Sequence, residues 1–218
     1  TSRMWSLTKK FGPDSALFTA EYTAGPTQLV TIVSGNVQVN TVARVLPTPL
    51  VLNGKDQFGH NVSGEKVTWT PAASSGTVQV AVDTTAADGS ASALWTLGPL
   101  AINQSVTASV TGLTPVVFTA TAKADTVAFV ALLTGGGQAG AVGSQLPTPI
   151  TIKVTDPFGN AVANAPVNFV DSLAGGGSGT VCSANTAADG TASTIWTLGN
   201  RAGSQLLPVP QGSSAATV

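Results

Sequence analysis

Apolar and polar positions alternate along most of this chain. In Glu65-Lys66-Val67-Thr68-Trp69-Thr70 the alternation puts Val67 and Trp69 on one face. Ala91, Ala93, Trp95 and Leu97 fall on one face in the same way. Apolar residues do not recur at spacings of three and four, so no amphipathic helix is expected. Strands are predicted at 30–33, 50–54, 65–70, 76–82, 91–97, 105–110 and 116–121. Turns are expected at 55–60 and at Ala86-Ala87-Asp88-Gly89, where Asp bonds its own backbone and Gly takes positive φ. About seven short strands with turn signals every eight to twelve residues predict an all-β Greek-key sandwich.

The pattern then repeats at a spacing of about one hundred residues. Leu46-Pro47-Thr48-Pro49 returns as Leu146-Pro147-Thr148-Pro149, and TTAADGSASALWTLG at 84–98 returns as NTAADGTASTIWTLG at 185–199. A period that long is a whole domain rather than a solenoid unit. Strands are predicted in the second copy at 126–133, 150–154, 166–170 and 191–198. Val167 and Phe169 stand where the first copy has Val67 and Trp69, and Trp196 stands where it has Trp95. Two tandem sandwiches are therefore expected, at 25–123 and 125–218, each closing its core around a matching indole whose N–H needs a partner.

The two ends break the symmetry. The first copy closes on Phe118-Thr119-Ala120-Thr121-Ala122, whereas the second is expected to have an incomplete last strand. Ala16, Leu17, Phe18, Thr19, Ala20, Glu21, Tyr22 and Thr23 resemble a last strand with no domain before it, and 2–7 resembles 93–97. Residues 1–24 thus read as the end of a preceding repeat, and the chain as a window on a longer tandem array. The alternative is that 16–23 is an inter-subunit strand, donated to the incomplete second domain of the next copy. Unpaired strand edges recruit partners, and such a head-to-tail contact builds a filament.

Composition narrows the function. Of 218 residues 9% are charged, against about 25% in ordinary soluble domains, and the net charge is −1. With no basic run, neither nucleic acid nor direct membrane insertion is expected; the expected partners are copies of the chain or neighbouring domains of the same kind, with any receptor or glycan unknown. A polar but uncharged surface suits an extracellular protein standing in an array. The single cysteine, Cys182, forms no intrachain disulfide and is expected to be a small buried residue. Thr1 is not an initiator Met and no signal peptide or membrane-length apolar run is found, so a mature product or a fragment is expected, with any anchor outside these residues.

Candidate chemistry is sparse. Gly135-Gly136-Gly137-Gln138-Ala139-Gly140 fits a dinucleotide pattern, but the stretch after it is too short and too Pro-bounded for the required helix, so a strand connection is expected. The one histidine, His60, sits in a turn where the second copy has Asn160. No Gly-x-Ser-x-Gly elbow occurs, and no enzyme is expected. Asp56, Asp88, Asp156 and Asp189 recur in register. They could line a calcium site between domains, but each lies in a Gly-containing turn where local hydrogen bonding accounts for it. No other cofactor is expected. Phe58 and Phe158 are the aromatics in turns; each is expected to fold back and plug the end of its sandwich.

The ordered set Leu-Pro-Thr-Pro, Asp-x-Phe-Gly-Asn, Val-x-Phe/Trp, Ala-Ala-Asp-Gly-x-Ala and Trp-Thr-Leu-Gly, closing on Phe-Thr-Ala-Thr-Ala, resembles the bacterial immunoglobulin-like domain, group 1. The resemblance spans 25–123 and 125–218, with 1–24 in fragment. It implies Ig-like sandwiches, secretion, and a spacer or adhesive rod of the intimin and invasin type, with no family-wide catalytic or ligand residues. The expected function is a structural module of a surface rod, stalk or filament; the alternative is an adhesin or glycan- or protein-binding module.

Overall fold

The computed structural model describes residues 3–11, 14–170, 177–179, 183–205, 208–211 and 214–217, with the strands at either end described by their backbone. Every regular element among them is a strand, as the alternation predicts. The chain divides into two compact units, Thr1–Lys123 and Ala124–Val218. Cys182 lies outside the described residues.

The first unit opens with an antiparallel hairpin of β1 (Arg3–Phe11) and β2 (Asp14–Tyr22). Residues 16–22 of the candidate inter-subunit strand belong to β2, and Thr23 follows it. The resemblance of 2–7 to 93–97 does not hold in space. The 95–96 strand makes a two-residue pairing with 77–78, whereas β1 pairs with β2 along its whole length, as 103–108 pairs with 116–121. The local motif was shared but the strand's partner differs.

Two sheets follow. One has the order β3-β5-β9, from β3 (Leu29–Ser34), β5 (Leu50–Lys55) and β9 (Ser90–Ala93), all antiparallel. The other has the order β4-β12-β11-β6-β8, from β4 (Gln38–Thr41), β12 (Val116–Lys123), β11 (Asn103–Val110), β6 (Lys66–Pro71) and β8 (Val82–Thr84). Among the described residues only β4 runs parallel to its neighbour, β12. A small ribbon joins β7 (Thr77–Val78) to β10 (Trp95–Thr96).

Three differences from the sequence reading have physical causes. The strand expected at 76–82 is two strands, because β7 bonds to β10 while β8 bonds to β6. The strand expected at 91–97 also changes partner, from β5 to β7, with a break at Leu94. Its inward face survives the break: Ala91, Ala93, Trp95 and Leu97 are all buried. Strand β4 was not expected, since Gln38, Asn40 and Thr41 give it no apolar face; backbone bonding to β12 makes it a strand.

The sheets share one core. Leu50 and Leu52 of β5 meet Val67 and Trp69 of β6, Val106 of β11 and Phe118 of β12, with the Trp69 and Phe118 rings 5.6 Å apart. Trp95 is buried and its Nε1 donates to the Ser75 carbonyl at 2.6 Å. Among the described residues neither Trp69 Nε1 nor Trp196 Nε1 finds an acceptor, and the second unit has Phe169 where the first has Trp69. The fold is all-β, with open sheets curled about this core.

The second unit repeats the plan. β13 (Phe129–Thr134), β14 (Ile150–Thr155) and β18 (Thr191–Thr194) form a sheet in the order β13-β14-β18, with an irregularity in β13 where β3 has one. Among its described residues three further pairs form: β15 (Pro166–Asn168) with β17 (Ser183–Asn185), β16 (Ser178–Gly179) with β19 (Trp196–Thr197), and β20 (Pro208–Gln211) with β21 (Ser214–Thr217). Ile150, Ile152, Val154, Val167, Phe169 and Trp196 are its buried centre. Both matching tryptophans thus face a core.

Candidate functional site: end turns and an open groove

The turn after β5 is organised by one carboxylate. Asp56 is buried, and its Oδ1 accepts from the backbone N–H groups of Phe58 and His60, each at 2.9 Å. Its Oδ2 accepts from Gly25 N–H at 3.0 Å and lies 3.1 Å from His60 Nδ1. Burial presses this carboxyl upward, but the hydrogen bonds from His60, Gly25 and Phe58 outweigh it and hold the group at about 2, below the ordinary 3.8. Asp156 repeats the arrangement with Phe158, Asn160 and Asp125, and its pKa is lowered by the same balance of burial against hydrogen bonds. Asn160 replaces His60 because either side chain can donate to the carboxylate.

Asp88 and Asp189 sit in the second recurring turn. Asp88 Oδ1 accepts from Ser90 Oγ at 2.6 Å and from Ser90 N–H at 2.9 Å; Asp189 does the same with Thr191. Those bonds, side chain first, lower both carboxyls. The four aspartates are thus engaged in their own turns. Among the described residues no group of three or more His, Cys, Asp and Glu is placed to hold a metal.

The pinned turn displays its aromatic. Phe58 is 74% exposed and Phe158 44%, so neither folds back as a plug. The three bonds that Asp56 accepts from this backbone and from Gly25 fix the turn, and that geometry carries the ring outward. Phe58 leans on His60, ring centroids 6.2 Å apart.

The glycine-rich stretch 135–140 leads into no helix, so it offers no dinucleotide site. It forms one wall of an open cavity of about 500 Å³ in the second unit, floored by Leu146, Ile150, Trp196 and Leu198 and closed on another side by Gly203, Ser204 and Gln205. The matching place in the first unit is filled. There Phe118, Ala120 and Ala122 of β12 are buried, β4 pairs with 120–123, and Val42 N–H donates to the Lys123 carbonyl at 2.9 Å. Val42 is 0% exposed; Val142, at the same repeat position, is 53% exposed. The sequence reading missed this pair, although aligning the two copies puts the valines in register.

No protein-family model matches the chain, and no curated protein matches it. Solved structures do match. The Escherichia coli adhesin FdeC is similar over 100% of this chain and 73% of that one, at 16% identity and a TM-score of 0.53. The D00-D0 domain of intimin is similar over 87% of this chain and 96% of that one, at 16% identity and a TM-score of 0.42. The Yersinia pseudotuberculosis adhesin InvE is similar over 87% and 57%, at 18% identity and a TM-score of 0.40. The chain shares its fold with the adhesin FdeC.

Proposed function

We propose that this chain is an extracellular tandem module of a bacterial surface adhesin, whose two Ig-like units, 25–123 and 125–218, present pinned end turns to a partner. The carrying observation is the exposed phenylalanine, repeated in both units, on a turn fixed by a buried carboxylate. A rigid exposed aromatic loses little entropy on binding, and such residues make hot spots. The fold it shares with an adhesin supports the same reading. It moves binding ahead of the purely structural rod that the repeats alone suggested.

Each unit is read as a Greek-key Ig sandwich of the group 1 kind. In support, the order β3-β5-β9 faces β4-β12-β11-β6-β8, with the first strand of the unit divided between the two sheets as β3 and β4. The low charge and the Thr- and Ser-rich surface fit a position outside the cell.

Beads coated with the chain and applied to cultured epithelial cells test the reading. Substituting Phe58→Ser together with Phe158→Ser is expected to cut the adherent fraction by at least about fivefold, the loss that follows removal of an aromatic anchor. Circular dichroism and melting should stay unchanged, since both rings are outside the core. Adherence that survives the double substitution would return the chain to a spacer role.

A further inference from the structure

The sheet edges of the first unit are not alike. β8 has three residues, one of them Asp83, and the Asp83 carboxylate accepts from Ser92 N–H of the edge strand β9 at 3.1 Å. β4 and β9 have four residues each, and Asn40 of β4 donates its Nδ2 to the Val45 carbonyl at 2.9 Å. Shortness and charge are the usual protection of an edge. β3 has neither. It runs for six residues, Leu29-Val30-Thr31-Ile32-Val33-Ser34, and among the described residues it pairs only with β5. Its outer face carries Thr31 between Leu29 and Val33, both more than half exposed. The second unit repeats the feature in its edge strand β13, with Phe129 and Leu133 exposed.

Backbone alternation fixes which groups lie on that edge. Gly54 N–H donates to the Gly89 carbonyl, away from β3. Asn53 and Lys55 on either side therefore turn their backbone groups toward β3, where they stand opposite Thr31 and Leu29. The N–H and C=O groups of Val30 and Ile32 are left facing outward. The irregularity of β3 comes after Ile32, so this stretch keeps a regular register. The sequence is also symmetric about Thr31, with two aliphatic residues on each side.

We propose that β3 pairs antiparallel with β3 of a second copy of this chain, Thr31 opposite Thr31. Val30 then stands opposite Ile32 of the second copy, and each such pair exchanges both of its N–H···O bonds. Thr31 meets Thr31 at a position without backbone bonds, where side chains come closest, and Leu29 meets Val33. Threonine pairs and aliphatic pairs of this kind stabilise a ladder. No charged residue lies on the strand and the chain's net charge is −1, so two copies meet without repulsion, whereas a charged strand of another protein finds no counter-charge. β13 is the poorer candidate, because Ala131 stands at its centre and alanine is depleted in strands. The contact is isologous and closes at two copies. On a cell surface it joins neighbouring molecules of the same kind. It does not rest on the phenylalanine turns.

Light scattering on size-exclusion fractions of the full chain, over a hundredfold range of concentration, tests this. The wild type is expected to pass from monomer to dimer and stop there. Thr31→Lys and Thr31→Glu each set like charges directly opposite and should weaken the dimer at least about tenfold. Mixed in equal amounts, the two should dimerise again, since Lys then faces Glu. Thr31 is exposed, so circular dichroism and melting of the dilute monomers should be unchanged. The register has its own check. In a Cys182→Ser chain, Thr31→Cys should form an intermolecular disulfide on mild oxidation, and Leu29→Cys should not, because it faces Val33.

A wild type that stays monomeric throughout, a dimer indifferent to both charged substitutions, or a mixture that fails to re-form overturns the proposal. A dimer lost on Ala131→Lys instead of Thr31→Lys also overturns it, because the contact then lies on β13. Phe58→Ser with Phe158→Ser should dimerise as the wild type does. The adhesin reading therefore stands or falls on the bead assay alone.

Discussion

Asp56 and Asp156 spend every carboxylate oxygen on the turn that follows the second sheet strand of each unit and on the start of that unit. Asp56 is depressed from 3.8 to about 2, so it binds fewer protons folded than unfolded below pH 4. Its contribution is therefore complete above the unfolded value and is lost as pH falls through the folded one. Thermal melts should hold steady from pH 7 down to about 4, then drop between about pH 4 and 2. Asp56→Asn with Asp156→Asn should start lower at pH 7 and show a flatter acid profile; an unchanged profile would deny these turns their role. Val37 offers the opposite case. It is β-branched, 76% exposed and held at φ 55, while its counterpart Gly137 sits at φ 67. A left-handed conformation costs such a residue about 1–2 kcal/mol, against about 0.5–1 kcal/mol for the greater freedom of an unfolded glycine. Val37→Gly should therefore stabilise the first unit by about 0.5–1 kcal/mol in chemical denaturation.

Strands change partners in the middle of each unit, and glycine permits it. At Gly76 a Cβ atom would run into the Thr96 carbonyl, and at Gly177 into the Thr197 carbonyl, with Gly76 also at φ 77. The β7–β10 and β16–β19 ribbons pass there, so no side chain fits. Gly76→Ala should cost about 2–4 kcal/mol, from steric overpacking together with backbone strain, and should leave the second unit's melt unchanged. Strand β12 matters for another reason. Phe118 is fully buried against Trp69, and Phe118→Ala should cost about 3–5 kcal/mol in equilibrium unfolding. The alternation of apolar residues made β5, β6, β11 and β12 legible, since each buries one face. Strand β4 was illegible because its stability is in backbone bonds to a strand some eighty residues away.

Across the whole molecule the two units share a plan but not a degree of closure. The first has Phe118, Ala120 and Ala122 in its core; the second has a cavity of about 500 Å³ and an exposed Val142 there. Apolar surface left in water forfeits the stabilisation that its burial gives. Calorimetry should accordingly resolve two transitions, the lower one belonging to the second unit. Gly177→Ala should move only the lower transition and Gly76→Ala only the upper. A single transition shifted by both substitutions would contradict independent units.

By itself the sequence determined the class of fold, the hundred-residue period, the burial of the matching tryptophans Trp95 and Trp196 and the roles of the four turn aspartates. These follow from short-range rules: a period of two along strands, and turn chemistry within a few residues. The tertiary structure decided what depends on distant partners. It set where strands switch sheets, and it left Val142 exposed where Val42 is buried. In each case the local residues are nearly the same in both copies, and the outcome rests on which strand lies beside them.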